Sequence, residues 1–277
     1  MTTGRSLFAR QLVTFVVPLL VLLGVALIPY IWILLASFKT RGELISPDPK
    51  WIFDPTSINY TDIIYKGFDG YLLNSVIIGF SSTALCIFVG TLAAYGFSRF
   101  KVPAGNHLFF YILATRLGPP VAYALPMYLI FRDLGLVNTY AGVILAHTTF
   151  NLVLVVWMMR SFFDDVPREI EEAAHLDGCG HFRVFLQITL PMTYPGLAAV
   201  SIFVLIFSWN ELLFALILTG GDTRPLTVMI PSLVLHTGTQ WGQVASASII
   251  QSIPVLVFIF FIQKKLVQGL TFGAVKG

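Results

Sequence analysis

A chain of 277 residues that is 56% hydrophobic and 11% charged, with a mean hydropathy of +0.82, falls outside the composition of soluble globular domains and belongs by default to the membrane class. A formal net charge of +3 gives no basis for nucleic-acid binding. Six apolar stretches, about 12–36, 72–97, 107–131, 139–162, 196–219 and 243–263, reach the roughly 20 residues that a helix needs to cross about 30 Å of hydrocarbon. They predict an all-α integral membrane protein of six transmembrane helices over 1–277, with little soluble mass.

The first stretch begins like a secretion signal, with Arg5 and Arg10 ahead of an apolar run from Leu12 to Phe38. That run is too long for a signal and no small-x-small cleavage site follows, so an uncleaved first helix is expected. The segment 39–71 carries Pro47, Pro49 and Pro55 with Trp51, Tyr60, Tyr65 and Tyr71, the pattern of a short loop with interfacial aromatic anchors. Between the fifth and sixth spans, Pro225–His236 is apolar, short and interrupted by proline, and predicts a partly inserted external helix. No internal repeat of 20–50 residues and no low-complexity tract is visible.

Six spans place both termini on one side, so the basic residues can be counted by side. The side of the termini carries Arg5, Arg10, Arg99, Lys101, Arg160, Arg168, Arg183, Lys264, Lys265 and Lys276; the other carries only Lys39, Arg41, Lys50, Lys66, Arg132 and Arg224. Basic residues accumulate on the cytoplasmic side, which puts the termini, the loop 163–195 and the tail 264–277 there. Cys86, mid-span, and Cys179, in that loop, lie at different depths in a reducing setting and support neither a disulfide nor a metal site.

The loop 163–195 is the one long polar island. Asp164, Asp165 and Pro167 precede Glu169, Glu171 and Glu172, so acidic residues and proline crowd a helix start, where the dipole and the unpaired amides favour them. Ala173 and Ala174 give a small-residue face, and Gly178 and Gly180 stop the helix and permit a reversal. A second short helix with Phe182, Phe185, Leu186 and Leu190 on one face leads to Pro191, Pro195 and the fifth span. The product is a helix–turn–helix elbow.

The string Glu172-Ala173-Ala174, two residues, Asp177-Gly178, then Ile188-x-Leu190-Pro191, placed between the fourth and fifth spans, resembles the cytoplasmic coupling loop of permease subunits in binding-protein-dependent ABC importers. The tail from Gly269 to Gly277 resembles the ending of the maltose-type permease that lacks a large external domain, so the resemblance spans nearly the whole chain. Cys179 stands where relatives usually have alanine, and Phe272 is bulkier than the small residue usual in the tail. The resemblance implies a type I ABC importer permease fold in a bacterial inner membrane. It also implies partners: a second, non-identical permease, two ATPase subunits and an external solute-binding protein, all around a lipid bilayer. Glu172, Ala173, Ala174, Asp177, Gly178, Leu190 and Pro191 become the residues expected to couple to the ATPase, with 168–190 seated in its cleft as in a ball-and-socket joint. ATP and Mg are expected in the partner, and no cofactor in this chain, which has no Gly-x-x-x-x-Gly-Lys-Ser/Thr string. The expected substrate is a sugar, sugar alcohol or carbohydrate derivative.

Polar side chains inside spans are costly, so they mark candidate pathways. Arg116, Pro119 and Pro120 fall in the third span, His147 and Asn151 in the fourth, Trp209, Asn210 and Glu211 in the fifth, and Ser246, Ser248, Gln251, Ser252 and Pro254 in the sixth. Pro119 and Pro120 should break or kink the third span. His147 and Asn151 are four apart and share a helix face. An aromatic ring beside an amide and a carboxylate suits a sugar, and His147, Asn151, Trp209, Asn210 and Glu211 are the candidate pathway. The same polar residues also suit interhelical packing, and Arg116 with its two prolines fits gating or packing, with Glu211 as one candidate partner.

Two other transport readings fit less of the chain. A glycerol-phosphate-type permease would favour cationic residues in the pathway, where only Arg116 is available. An ion-coupled secondary transporter would use His147, Arg116 and Glu211 as a proton relay. A membrane-embedded enzyme needs clustered catalytic groups, and the five histidines at 107, 147, 175, 181 and 236 are scattered. Transport without catalysis by this chain is therefore the expectation.

Overall fold

A computed structural model describes residues 12–48, 50–235 and 238–273. Arg5, Arg10, His236 and the tail residues Ala274–Gly277 lie outside the described residues.

The long apolar runs form helices because a backbone in hydrocarbon must satisfy its own amides and carbonyls. Four helices are long and apolar enough to cross a membrane unaided: Thr14–Ser37, which contains α1 (Val17–Ser37); α4 (Phe68–Arg99); α7 (Tyr140–Asp164); and the first part of α13 (Trp241–Gly273). Two bent pairs raise the number to as many as six. One is α5 (Gly105–Thr115) with α6 (Pro120–Asp133), meeting at 96°, where Pro119 closes the break and Pro120 opens the second helix. The other is α9 (His181–Met192) with α10 (Tyr194–Trp209), meeting at 79°.

The expected fifth span, 196–219, is not one helix. α10 ends at Trp209 and α11 (Leu213–Leu218) begins after three intervening residues, because Asn210 and Glu211 bring polar groups that compete for the backbone. Pro225–His236 is likewise not a single helix. It forms α12 (Leu226–Met229), a 3-10 turn at Ile230–Leu233 and strand β1 (Val234–Leu235), which pairs antiparallel with β2 (Gly238–Thr239).

By proximity the chain divides into two units, 1–68 with 232–252 and 69–231 with 253–277. In the first, α1 leads into the short helices α2 (Arg41–Ile45) and α3 (Ile58–Tyr65). Thr40 caps α2 in a reciprocal box with Glu43, and the Thr40 amide and hydroxyl hold the Glu43 carboxyl below its ordinary pKa. Lys39 is 2% exposed because its ammonium donates to the Lys50 carbonyl at 2.6 Å and lies over the Trp32 and Phe53 rings. The Asn59 amide donates to the Ser37 and Lys39 carbonyls, tying α3 to the end of α1.

In the second unit α4, α7 and α10 pack on one another around Cys86, Ala94, Tyr95, Val155, Met159, Phe163, Phe185, Val200 and Val204. Lipid tails are as apolar as these side chains, so the association depends on close packing rather than on expelling water. Gly90 makes the approach of α4 to α7 close: a Cβ there would sit 2.6 Å from Val155 Cγ1. Gly96, one and a half turns on, faces open space. Gly90→Ala is therefore expected to lower the melting temperature in detergent, since overfilling a packed contact costs about 1–3 kcal/mol. Gly96→Ala should melt at or slightly above the unmodified chain, since a helix-interior glycine is about 0.5–1 kcal/mol worse than alanine; equal melting of the two variants would contradict the close-approach account.

Candidate functional site

The cytoplasmic elbow begins where α7 ends. Pro167 takes the N-cap position of α8 (Arg168–Leu176), with Glu169 and Glu171 in the first turn, where the unpaired amides attract negative charge. The helix closes at Gly178, whose φ of +85° is a left-handed conformation that glycine reaches without a Cβ penalty. The Gly178 amide donates to the His175 carbonyl and the Cys179 amide to the Ala174 carbonyl, satisfying two terminal acceptors. His175 Nδ1–H donates to the Cys179 carbonyl at 2.8 Å and holds the turn from the side.

The turn leads into α9, whose middle, Phe185–Thr189, is a π-helical turn. The wider turn changes which residues face inward. Phe185 is buried against Tyr95 and Phe163, whereas Phe182 and Leu186 are exposed, so the expected apolar face of Phe182, Phe185, Leu186 and Leu190 is divided.

The predicted coupling residues divide too. Glu172, Ala173, Asp177 and Gly178 are exposed, Ala174 is buried, and Leu190 and Pro191 are partly buried. Leu176, 90% exposed, and Phe182, 69% exposed, flank the outward group with apolar surface. The Glu172 and Asp177 carboxylates thus face outward beside small and apolar residues.

Sequence reasoning missed the polar cluster beneath this face. Arg99, the last residue of α4, donates through Nε to Glu171 Oε1 at 2.8 Å, and the two side chains are 7% and 8% exposed. Thr189 donates to Glu171 at 2.8 Å and Tyr95 at 3.3 Å. Arg99 also donates to the Val166 carbonyl at 3.0 Å and to Ser98 Oγ at 2.9 Å. Ser98 donates to Asp164 at 2.5 Å, and Arg168 to the Ser98 carbonyl at 3.0 Å. The available signal was an arginine closing an otherwise apolar span, a position that says nothing of its partner.

Within the membrane-embedded part, His147 Nε2 lies 3.1 Å from Glu211 Oε2, and its Nδ1 lies 2.8 Å from Ser208 Oγ, which is 2.6 Å from Ser82 Oγ. An ionised Glu211 accepts from Nε2–H and leaves Nδ1 to accept from Ser208. The Glu211 carboxylate also accepts the Phe214 amide at 3.0 Å and the Ala215 amide at 3.1 Å, so it caps α11 from inside the broken span. Trp209 is buried, with its ring against the Gly79 backbone. His147 and Asn151 are buried, Asn210 is exposed and donates to the Ile206 carbonyl, and the Glu211 side chain is 21% exposed. Of the five pathway candidates, three are thus enclosed by packing and two reach a surface.

Arg116 does not meet Glu211. It sits in the break between α5 and α6, donates to the Phe150 carbonyl of α7 and lies 5.3 Å from the Phe207 ring. The Arg116 guanidinium is thus taken up by a carbonyl of α7 and an aromatic face, while Glu211 pairs with His147. Among the described residues no group of three or more histidine, cysteine, aspartate or glutamate side chains has metal-site geometry.

The family profile described as "Binding-protein-dependent transport system inner membrane component" matches residues 86–272, which include the elbow and the broken fifth span. The chain belongs to this family. It is similar to "Probable ABC transporter permease protein y4oR" of Sinorhizobium fredii, at 38% identity over 92% of each chain. It is also similar to the "Trehalose transport system permease protein SugB" of Mycobacterium tuberculosis, at 34% identity over 92% of this chain and 94% of that one. Among solved structures, a chain of a bacterial ABC transporter involved in the import of the acidic polysaccharide alginate aligns with a TM-score of 0.75 at 22% identity, covering 92% of this chain and 97% of that chain. The likeness establishes the fold as that of an ABC importer permease. As an inner-membrane component of a binding-protein-dependent system, this permease is a multi-pass transport subunit, and systems of its kind work with an ATPase and a binding protein.

Proposed function

We propose that this permease forms half of the translocation path of an ATP-driven importer for a sugar, sugar alcohol or carbohydrate derivative, and that residues 168–190 couple it to the ATPase. The observation that carries the coupling role is the outward set Glu172, Ala173, Asp177 and Gly178 on a helix that Arg99 of α4 and Thr189 of α9 hold from behind. A small, acidic, exposed helix face seats into a partner's cleft, and two such seats driven together would rock the attached helices as nearly rigid bodies. The carbohydrate class is supported by the trehalose permease among the relatives, and Asn210 and Glu211 are the pathway candidates that reach a surface. In this reading a second, non-identical permease completes the path, two ATPase subunits hold ATP and Mg, and an external solute-binding protein delivers the substrate. The chain itself performs no catalysis, and its termini and elbow are cytoplasmic.

Affinity purification of the tagged chain from gently solubilised native membranes, followed by mass spectrometry, tests the assembly. Recovery of an ATPase and a second permease is expected; a chain that stays alone through repeated mild extractions would shift the reading to a self-sufficient transporter. Titration of the co-purifying binding protein with trehalose, maltose and glycerol phosphate then tests the substrate class, and binding of the phosphate alone would overturn the carbohydrate assignment.

A further inference from the structure

We propose that Arg99 and Glu171 are positioning residues that lock α8 to the cytoplasmic end of α4, so that a push on the elbow is delivered to that membrane-spanning helix. The inference rests on the coupling role of 168–190 and adds the route by which displacement leaves it.

The covalent exits from α8 are poor transmitters. One runs back through Pro167 to α7 and the other forward through Gly178, a residue held by local hydrogen bonds in a left-handed turn. α4 is not joined to α8 in sequence, yet its last turn holds α8 at several points. Tyr95 donates to Glu171 Oε2, and Arg99 and Thr189 of α9 both donate to Oε1. The remaining donors of the Arg99 fork reach Val166, just before α8, and Ser98, which itself bonds Asp164 at the end of α7. Arg168 returns a bond to the Ser98 carbonyl. One guanidinium therefore joins α4, the entry to α8 and, through Glu171, the entry to the fifth span.

The pair is enclosed, so salt screens it little, and its bond directions are fixed by the planar fork. Its chemistry also explains why adjacent glutamates have opposite fates. Glu171 faces inward with Ala174, three residues on, while Glu172 faces outward for a partner. Elements packed and bonded in this way move together by small shear rather than by bending separately.

The test uses the assembly purified through this chain and placed in lipid nanodiscs, with Cys179→Ala, Lys101→Cys just beyond α4 and Ile170→Cys on α8, outside the outward group, carrying spin labels. Distances are compared between the nucleotide-free and the ATP–vanadate-trapped states. The label separation is expected to stay constant within about 2 Å, the scale of helix shear at packed interfaces. Glu171→Gln, which removes the charge, and Arg99→Lys, which keeps the charge and loses the fork, should each broaden the separation and make it change on trapping while the ATPase stays bound. A change on trapping in the parent chain, or variants that match the parent, would overturn the proposal. Loss of the ATPase in Glu171→Gln but not in Glu172→Ala would also overturn it, by making Glu171 the direct contact. A parent chain that retains no ATPase sinks the coupling reading itself, and this inference with it.

Discussion

Glu211→Ala is expected to lower the melting temperature of the solubilised permease more than any other single change in the polar cluster within the membrane. The substitution removes two things at once. Loss of the carboxylate that caps α11 costs about 0.5–2 kcal/mol, and leaving His147 Nε2 without its partner in a dry site costs about 1–3 kcal/mol more. Ser208→Ala, by contrast, removes two interhelical hydroxyl bonds, to His147 and to Ser82, and such bonds average about 0.6 kcal/mol each in membranes. Glu211→Gln keeps an oxygen that can accept the Phe214 amide, so its melting should fall between those of Glu211→Ala and the parent chain. Differential scanning fluorimetry in a single detergent ranks the three variants. A Glu211→Ala chain that melts with the parent would show that the His147 and backbone contacts contribute nothing net. The same series separates packing from transport. Asn210 is exposed and satisfies its amide on its own helix, so Asn210→Ala should leave melting unchanged. If the broken span lines the path, that variant will nonetheless reduce ATP hydrolysis stimulated by the loaded binding protein.

How much of this was legible in the sequence depends on how local each feature is. The all-α membrane class followed from the long apolar runs alone, since a backbone crossing hydrocarbon has few options. The interruption at Asn210 and Glu211 was in view only as chemistry. Both residues stood out as polar groups in a span, but that a carboxylate would turn back to cap Phe214 and Ala215 depends on the approach of α7, which brings His147 to its other oxygen. The π-helical turn at Phe185–Thr189 left no trace in a 3.6-residue pattern, and spacing alone did not show that Phe182 and Leu186 would be exposed beside a buried Phe185. Arg99 and Glu171 were each noticed, one as a charge counted by side and the other as a residue suiting a helix start. Their pairing joins positions far apart in the chain, and nothing in a single sequence ties them. Arg116 stood as a candidate partner for Glu211 because both are charged; in the fold His147 takes the carboxylate and the Phe150 carbonyl of α7 takes the guanidinium.

Replacing Gly178 should uncouple the elbow in an order set by backbone geometry. At φ +85° glycine meets no penalty, asparagine tolerates the left-handed region, and alanine there costs roughly 1–2 kcal/mol. Proline cannot reach that φ and removes the amide that bonds the His175 carbonyl, a change of about 3 kcal/mol or more. A Cβ at this position would meet no atom within 4 Å, so crowding is not the cause of any loss and the series isolates conformation. The measured quantity is the amount of ATPase retained by the tagged permease in mild detergent, with melting temperature as the check on insertion and folding. Retention should fall from Gly178→Asn through Gly178→Ala to Gly178→Pro, and about 1.4 kcal/mol of distortion felt at the docking face corresponds to a tenfold loss. The core around Val155, Met159 and Val204 is made by other elements, so melting should change far less than retention. Normal retention by Gly178→Pro would mean that the turn does not set the position of Glu172 and Asp177, and the docking face would have to be sought elsewhere on the cytoplasmic surface. Graded loss with melting intact would place the ATPase contact on the outward face of α8, because the turn at Gly178 fixes where Asp177 and the end of that helix stand.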